Sequence, residues 1–209
     1  MTEGKTYIWR MTHYRNIGFI MRNGLHCCNC EIQDPKYINI GHRSLIDNRG
    51  QAAIDMEPGG VLNDYIPFYF HYKMPMLYQI HKGMVKDYSG TQEEIIYLVS
   101  TAEKIAELRL PFVITDRHAY LAHKTVYNEL QNLKNLSWDI IKDNTWFHQY
   151  SDLRKELKQA EFLIHRHVPV TALLGIVTHN DEIAKFVESE VRGAGISLQV
   201  ISKPAYYYI

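Results

Sequence analysis

The apolar residues of this chain come in short runs, and that limits what it can fold into. "TYIWRMTH" (6–13), "LPFVITD", "EFLIH", "TALLGIVTH" and "SLQVIS" each have the length and the β-branched and aromatic content of a strand. "PMLYQIH" (75–81) reads as another. Helical spacing is confined to four stretches. "NIGFIMRNGL" stops at Gly24, and "EEIIYLVSTAEKIAEL" carries Ile95, Val99, Ala102 and Ala106 at helical intervals. "SDLRKELKQA" has Ser151 at its cap, and "DEIAKFVESEVRGAG" ends at a glycine. Strands outnumber long helices and do not alternate with them as in doubly wound proteins, so the expected class is α+β.

A chain of 209 residues fits one domain, taken as 1–209. No stretch approaches the roughly 20 apolar residues of a membrane span, and "MTEGKTYIW" lacks the basic start and apolar core of a signal peptide. With three cysteines packed into "CCNC", this predicts a reduced, cytoplasmic protein without a disulfide framework. The 23 basic and 23 acidic residues cancel, so any polyanion site must be local. Two regions lack clear periodicity. Residues 26–75 are broken by prolines and glycines, and residues 117–150 mix weak helical patterning in "KTVYNELQNL" with Trp138, Trp146, Phe147 and His148. Long irregular stretches in a compact domain are usually functional, so residues 117–160 are read as an insertion that recognises substrate.

Several chemistries are excluded. There is no G-x-S-x-G, P-loop or G-x-G-x-x-G pattern. "CCNC" has no second cysteine pair to complete a zinc site, and His165 and His167, two apart on one strand, are expected to be surface or packing residues, so no metal is predicted. What is left is a set of polar residues beside strands: His13, Arg49, Asp116, His118 and Glu161.

The order of these segments resembles the DarT toxins, DNA ADP-ribosyltransferases. "MTHYRNIGFIMRNGL" is similar to their opening strand and helix, and "PFYFHYKMPMLYQIHKG" to their aromatic stretch running into Pro-Met-Leu. "PFVITDRHAY" is similar to their Thr-Asp segment, and "LRKELKQAEFLIHRHVP" to their Ala-Glu-Phe-Leu segment. The likeness implies an ADP-ribosyltransferase-like fold, a mostly antiparallel split β-sheet flanked by helices. It also implies NAD as co-substrate and a base in single-stranded DNA, thymine, as acceptor.

By resemblance the catalytic residues are Glu161 and Arg49. A carboxylate suits the positive charge that grows on ribose as nicotinamide leaves, and a guanidinium suits a pyrophosphate or a base losing its proton. The implied NAD contacts are His13 with Thr12, Tyr14, Asn16 and Gly24 beside it, Arg49, and Tyr69, Phe70 and Tyr78 around nicotinamide. The implied DNA contacts are His118, Tyr120, Arg154, His148 and Lys155, because a single strand is held by stacking and by cations along its phosphates. The family also implies a partner, a DarG-like macrodomain antitoxin. Two other readings stay open on residues alone: a transferase of the same fold acting on RNA or protein, and a non-enzymatic single-strand-binding module.

Overall fold

The computed structural model describes residues 4–144 and 151–209. Along the first half run β1 (Tyr7–His13), α1 (Ile17–Asn23), β2 (Leu25–His26), α2 (Arg43–Arg49), β3 (Tyr65–Tyr69), α3 (Pro75–His81), β4 (Ile95–Thr101) and α4 (Ala102–Glu107). The second half continues with β5 (Phe112–Thr115), β6 (Val126–Tyr127), α5 (Trp138–Ile141), α6 (Asp152–Lys158), β7 (Glu161–His165), β8 (His167–Val168), β9 (Gly175–Thr178), α7 (Asp181–Gly193) and β10 (Gln199–Ser202). Among the described residues the main sheet has the order β10-β9-β4-β1-β3-β7-β5-β6, and β2 pairs with β8 in a small second sheet. Every neighbouring pair in the main sheet is antiparallel except β9 and β10. The class is α+β, as expected.

The sheet is split in its middle. β1 pairs with β4 from Tyr7↔Thr101 to His13↔Ile95, but with β3 at Trp9↔Tyr69. Pro67 has no N–H to give, so the β1–β3 ladder stops there, and the Pro67 carbonyl accepts instead from Arg10 Nη1 at 3.3 Å. One face of the sheet packs Ile8, Phe68, Leu98 and Phe162 with α1 and α7. The other packs Met11, Tyr97 and Val99 with Leu77 and Ile80 of α3 and with Tyr207.

Two segments differ from the sequence reading. "PMLYQIH" is a helix, opened by Pro75 at a first-turn position where a missing N–H costs nothing, and its buried residues Leu77 and Ile80 lie three apart. "EEIIYLVSTAEKIAEL" is a strand followed by a short helix. All seven residues of β4 are buried, so its apolar run is continuous, and a strand covered on both faces shows no alternation. Elsewhere "TALLGIVTH" becomes a strand only from Gly175, and "KTVYNELQNL" is a two-residue strand and a 3-10 turn rather than a helix. Ser151 stands at the α6 cap position without a side-chain capping bond. His165 and His167 do not share a strand face: Arg166, with φ of 61°, ends β7 between them. His165 packs on Tyr65 and His167 stacks on His26.

Lys158, the last residue of α6, is fully buried, and its Nζ donates to the carbonyls of Ile141 and Asp143 at 2.6 and 2.5 Å. Burial pulls its pKa from the usual lysine range to about 7. A lysine whose pKa is lower folded than unfolded binds fewer protons in the folded state between those two values. Stability therefore rises with pH across that window, from about 7 toward the unfolded value. Lys158→Met is expected to lose the two carbonyl bonds and this rise together, which urea midpoints at pH 7 and pH 9 for both proteins would show.

Candidate active site

Glu161 opens β7 in register with Tyr69 of β3 and Thr115 of β5. Its backbone N–H donates to Thr115 Oγ1 at 3.2 Å, and its side chain has no solvent exposure. Arg49 closes the last turn of α2 and reaches across: Nη1 lies 3.2 Å from Oε2 and 3.4 Å from Oε1, and Nη2 lies 3.2 Å from Oε2. Ala119 N–H donates to Oε1 at 2.9 Å, and His118 Nδ1 is 3.9 Å from the same oxygen. Burial alone would raise the Glu161 pKa. The guanidinium, His118 and the Ala119 N–H outweigh it and hold the carboxyl below the usual range, so it is ionised at neutral pH. His118 is shifted down, first by burial and also by Arg49, against the pull of Glu161, which favours its neutral ring. Its Nδ1 accepts from Tyr120 N–H at 3.2 Å, which leaves the ring proton on Nε2.

In front of this pair lies a cavity of about 390 Å³, lined by Arg10, Tyr37, His42, Arg49, Tyr69, His118 and Gln159 among others, with no carboxylate among its described lining residues. The Tyr69 hydroxyl pKa is pushed up to about 12, by burial first and then by Glu161, so it is a neutral donor there. Tyr37 and Asn39 also wall a second cleft of about 530 Å³, which holds His13, Arg43 and Glu94. His13 is buried. Its Nδ1 accepts from Arg15 N–H, its Nε2 lies 3.7 Å from Glu94, and burial lowers its pKa.

The other expected residues divide. Asn16 donates from Nδ2 to Thr12 Oγ1 and to the Ile38 carbonyl and accepts from Ile38 N–H. Thr12 and Asn16 are both buried, so they brace the Tyr37–Asn39 wall from behind. Tyr14 packs against the His13 ring. Gly24 terminates α1 at φ 78°, and a Cβ there would fall 2.6 Å from the Val168 carbonyl, so glycine is needed for a turn and a close approach. Phe70 sits in the core against Trp138 and Phe162, and Tyr78 packs on Tyr208 and His81; neither lines the cavity. Tyr120 is exposed. Arg154 pairs with Asp143, and Lys155 makes a solvent-exposed pair with Asp152 on the same helix. His148 lies outside the described residues.

Arg10, Tyr37, His42 and Gln79 were not anticipated. His42 Nε2 and Gln79 Oε1 are 3.0 Å apart on the cavity wall. The one sequence signal was Arg10, a charge in the middle of an apolar strand. Cys27 and Cys30 place their sulfurs 2.9 Å apart, and Cys28 lies on the cavity wall. No group of three or more metal-ligating side chains occurs among the described residues, nor any helix long and apolar enough to cross a membrane.

The family described as DarT, ssDNA thymidine ADP-ribosyltransferase, matches residues 9–208. A DNA ADP-ribosyl transferase of Escherichia coli O127:H6 is 36% identical over 205 residues, 98% of this chain and 94% of that protein. Two solved structures of Thermus sp. 2.9 DarT superimpose closely. The complex with ADP-ribosylated ssDNA has a TM-score of 0.91 at 32% identity, covering 97% of this chain and 96% of that one. The complex with NAD+ has a TM-score of 0.89 at 32% identity, covering both chains fully.

Proposed function

Because this chain belongs to the DarT family of single-stranded DNA thymidine ADP-ribosyltransferases, we propose that Glu161 and Arg49 form its reaction centre and that the cavity before them receives NAD. The protein is an NAD-dependent DNA ADP-ribosyltransferase. The observation that carries the assignment of the centre is the buried, ionised Glu161 gripped by Arg49, which with His118 belongs to the cavity wall.

The chemistry follows from those groups. As the bond between nicotinamide and ribose breaks, the electron pair leaves with nicotinamide and positive charge grows on the sugar. Glu161, held ionised in a site of low dielectric, stabilises that charge. Its backbone is fixed between β3 and β5 and its oxygens by Arg49 and Ala119 N–H, so little reorganisation accompanies the step. Thymine N3 then attacks the anomeric carbon and its proton departs. Glu161 accepts that proton, and Arg49 favours the developing base anion. Tyr120, exposed beside His118, takes the single strand by stacking, within the 117–160 stretch of which residues 145–150 lie outside the described residues. The chain acts in a sequence-dependent way as the toxin of a pair with a DarG-like macrodomain antitoxin in the cytoplasm, an inference resting on the family.

Incubation with labelled NAD and, in parallel, single-stranded DNA, duplex DNA and RNA tests the reaction. Mass spectrometry of the nucleosides is expected to find ADP-ribose on thymidine from single strands. Label on RNA or on the protein itself, with none on DNA, would favour the rival transferase, and untouched NAD would favour the simple binder.

A further inference from the structure

We propose that Arg10 is the phosphate-binding residue of the cavity and grips the pyrophosphate of the dinucleotide, an inference that rests on the cavity being the NAD site. The guanidinium stands where the sheet splits. Nη1 is tied to the Pro67 carbonyl, which fixes the plane of the group, while Nε is buried and has no hydrogen-bond partner among the described residues. Nη2 has no hydrogen bond among the described residues either, and it is the amino group left open to a ligand oxygen. A guanidinium keeps its charge and holds its N–H donors in a fixed plane, which suits a phosphate oxygen.

Charge points the same way. Of the two arginines on the cavity wall, Arg49 is neutralised by Glu161, whereas Arg10 forms no ion pair among the described residues. Asp34 shares a smaller adjoining cavity with Arg10 but makes no ion pair with it. The cavity therefore presents an uncompensated positive charge with no carboxylate among its described lining residues, between the reaction centre and the Tyr37–Asn39 wall that borders the His13 cleft. A ligand with its reacting sugar at Glu161 and its other end toward His13 has its anionic middle near Arg10.

The shared chemistry, a phosphate oxyanion, could also come from DNA, so the test uses both. Binding of ADP-ribose, adenosine and a thymidine-containing single strand is measured by calorimetry for wild type, Arg10→Gln and Arg10→Lys, with melting temperatures checked first. Arg10→Gln is expected to weaken ADP-ribose by about tenfold to a hundredfold, as for a lost charged hydrogen bond, with adenosine and DNA within about twofold. Arg10→Lys, which keeps the charge and loses the planar donors, falls between. In turnover the loss appears in KM for NAD rather than in kcat. Unchanged ADP-ribose affinity in Arg10→Gln overturns the proposal, as does equal weakening of adenosine, which marks a deformed site. So does weakening of DNA alone, which assigns the residue to the other phosphate. A wild-type protein that bound no ADP-ribose would instead sink the reading of the cavity itself.

Discussion

Glu161→Gln is expected to cut both nicotinamide release and DNA modification by about a hundredfold to a thousandfold, the range seen when one preorganised charge-stabilising group is removed from an active site. Gln keeps the volume and can still accept from Ala119 N–H, so the loss is mainly one of charge. The fold is expected to persist, because Arg49 retains 11% side-chain exposure and its uncompensated guanidinium can draw on water. Single-turnover rates on a labelled oligonucleotide, beside a urea midpoint, separate the two effects. A Gln variant that modified DNA at close to the unaltered rate would remove Glu161 from the reaction and leave it as a structural ion-pair partner.

The junction at Glu161, between the helix in "SDLRKELKQA" and the strand in "EFLIH", was legible from local signals, whereas a catalytic role for that residue came only from the family resemblance. Local signals also gave β1, α1, β5, α7 and β10. They failed where burial removes periodicity: β4 is covered on both faces, and α3 is too short for its spacing to be told from alternation. The site was legible only in part for a different reason. The cavity wall is assembled from Arg10, Tyr37, His42, Tyr69 and Gln79, which no local pattern connects, and α2 brings Arg49 to Glu161 across 112 residues. Residue type said nothing of the ion pairs that Arg154 and Lys155 make. Both look like cations for a nucleic acid, yet each is paired with an aspartate by the fold. Thr12 and Asn16 brace the Tyr37–Asn39 wall of the larger cavity, which a sequence cannot distinguish from lining it, and Asn16 also lines the smaller adjoining one.

The Arg49–Glu161 pair yields a second large effect, in stability, with a pH signature. In the wild-type protein the folded pKa of Glu161 is held below its unfolded value, so the pair stabilises the fold above the unfolded pKa and this contribution is lost as pH falls through the folded one. Arg49→Met removes the largest opposing influence and leaves desolvation, which raises the pKa of a carboxyl with no solvent exposure. The sign then reverses: the variant carries its penalty above the raised pKa and recovers as the pH falls and the carboxyl becomes neutral. At pH 7 the cost is expected to be about 3–5 kcal/mol, that of stranding one partner of a buried ion pair. The double variant Arg49→Met/Glu161→Met should regain most of it, because no charge is left unpaired and only the Ala119 N–H loses its acceptor. Urea midpoints of the four proteins at pH 5 and pH 7 decide the matter. If Arg49→Met proved no less stable at pH 7 than at pH 5, relative to wild type, Glu161 would not be the buried, ionised carboxylate on which the catalytic assignment depends.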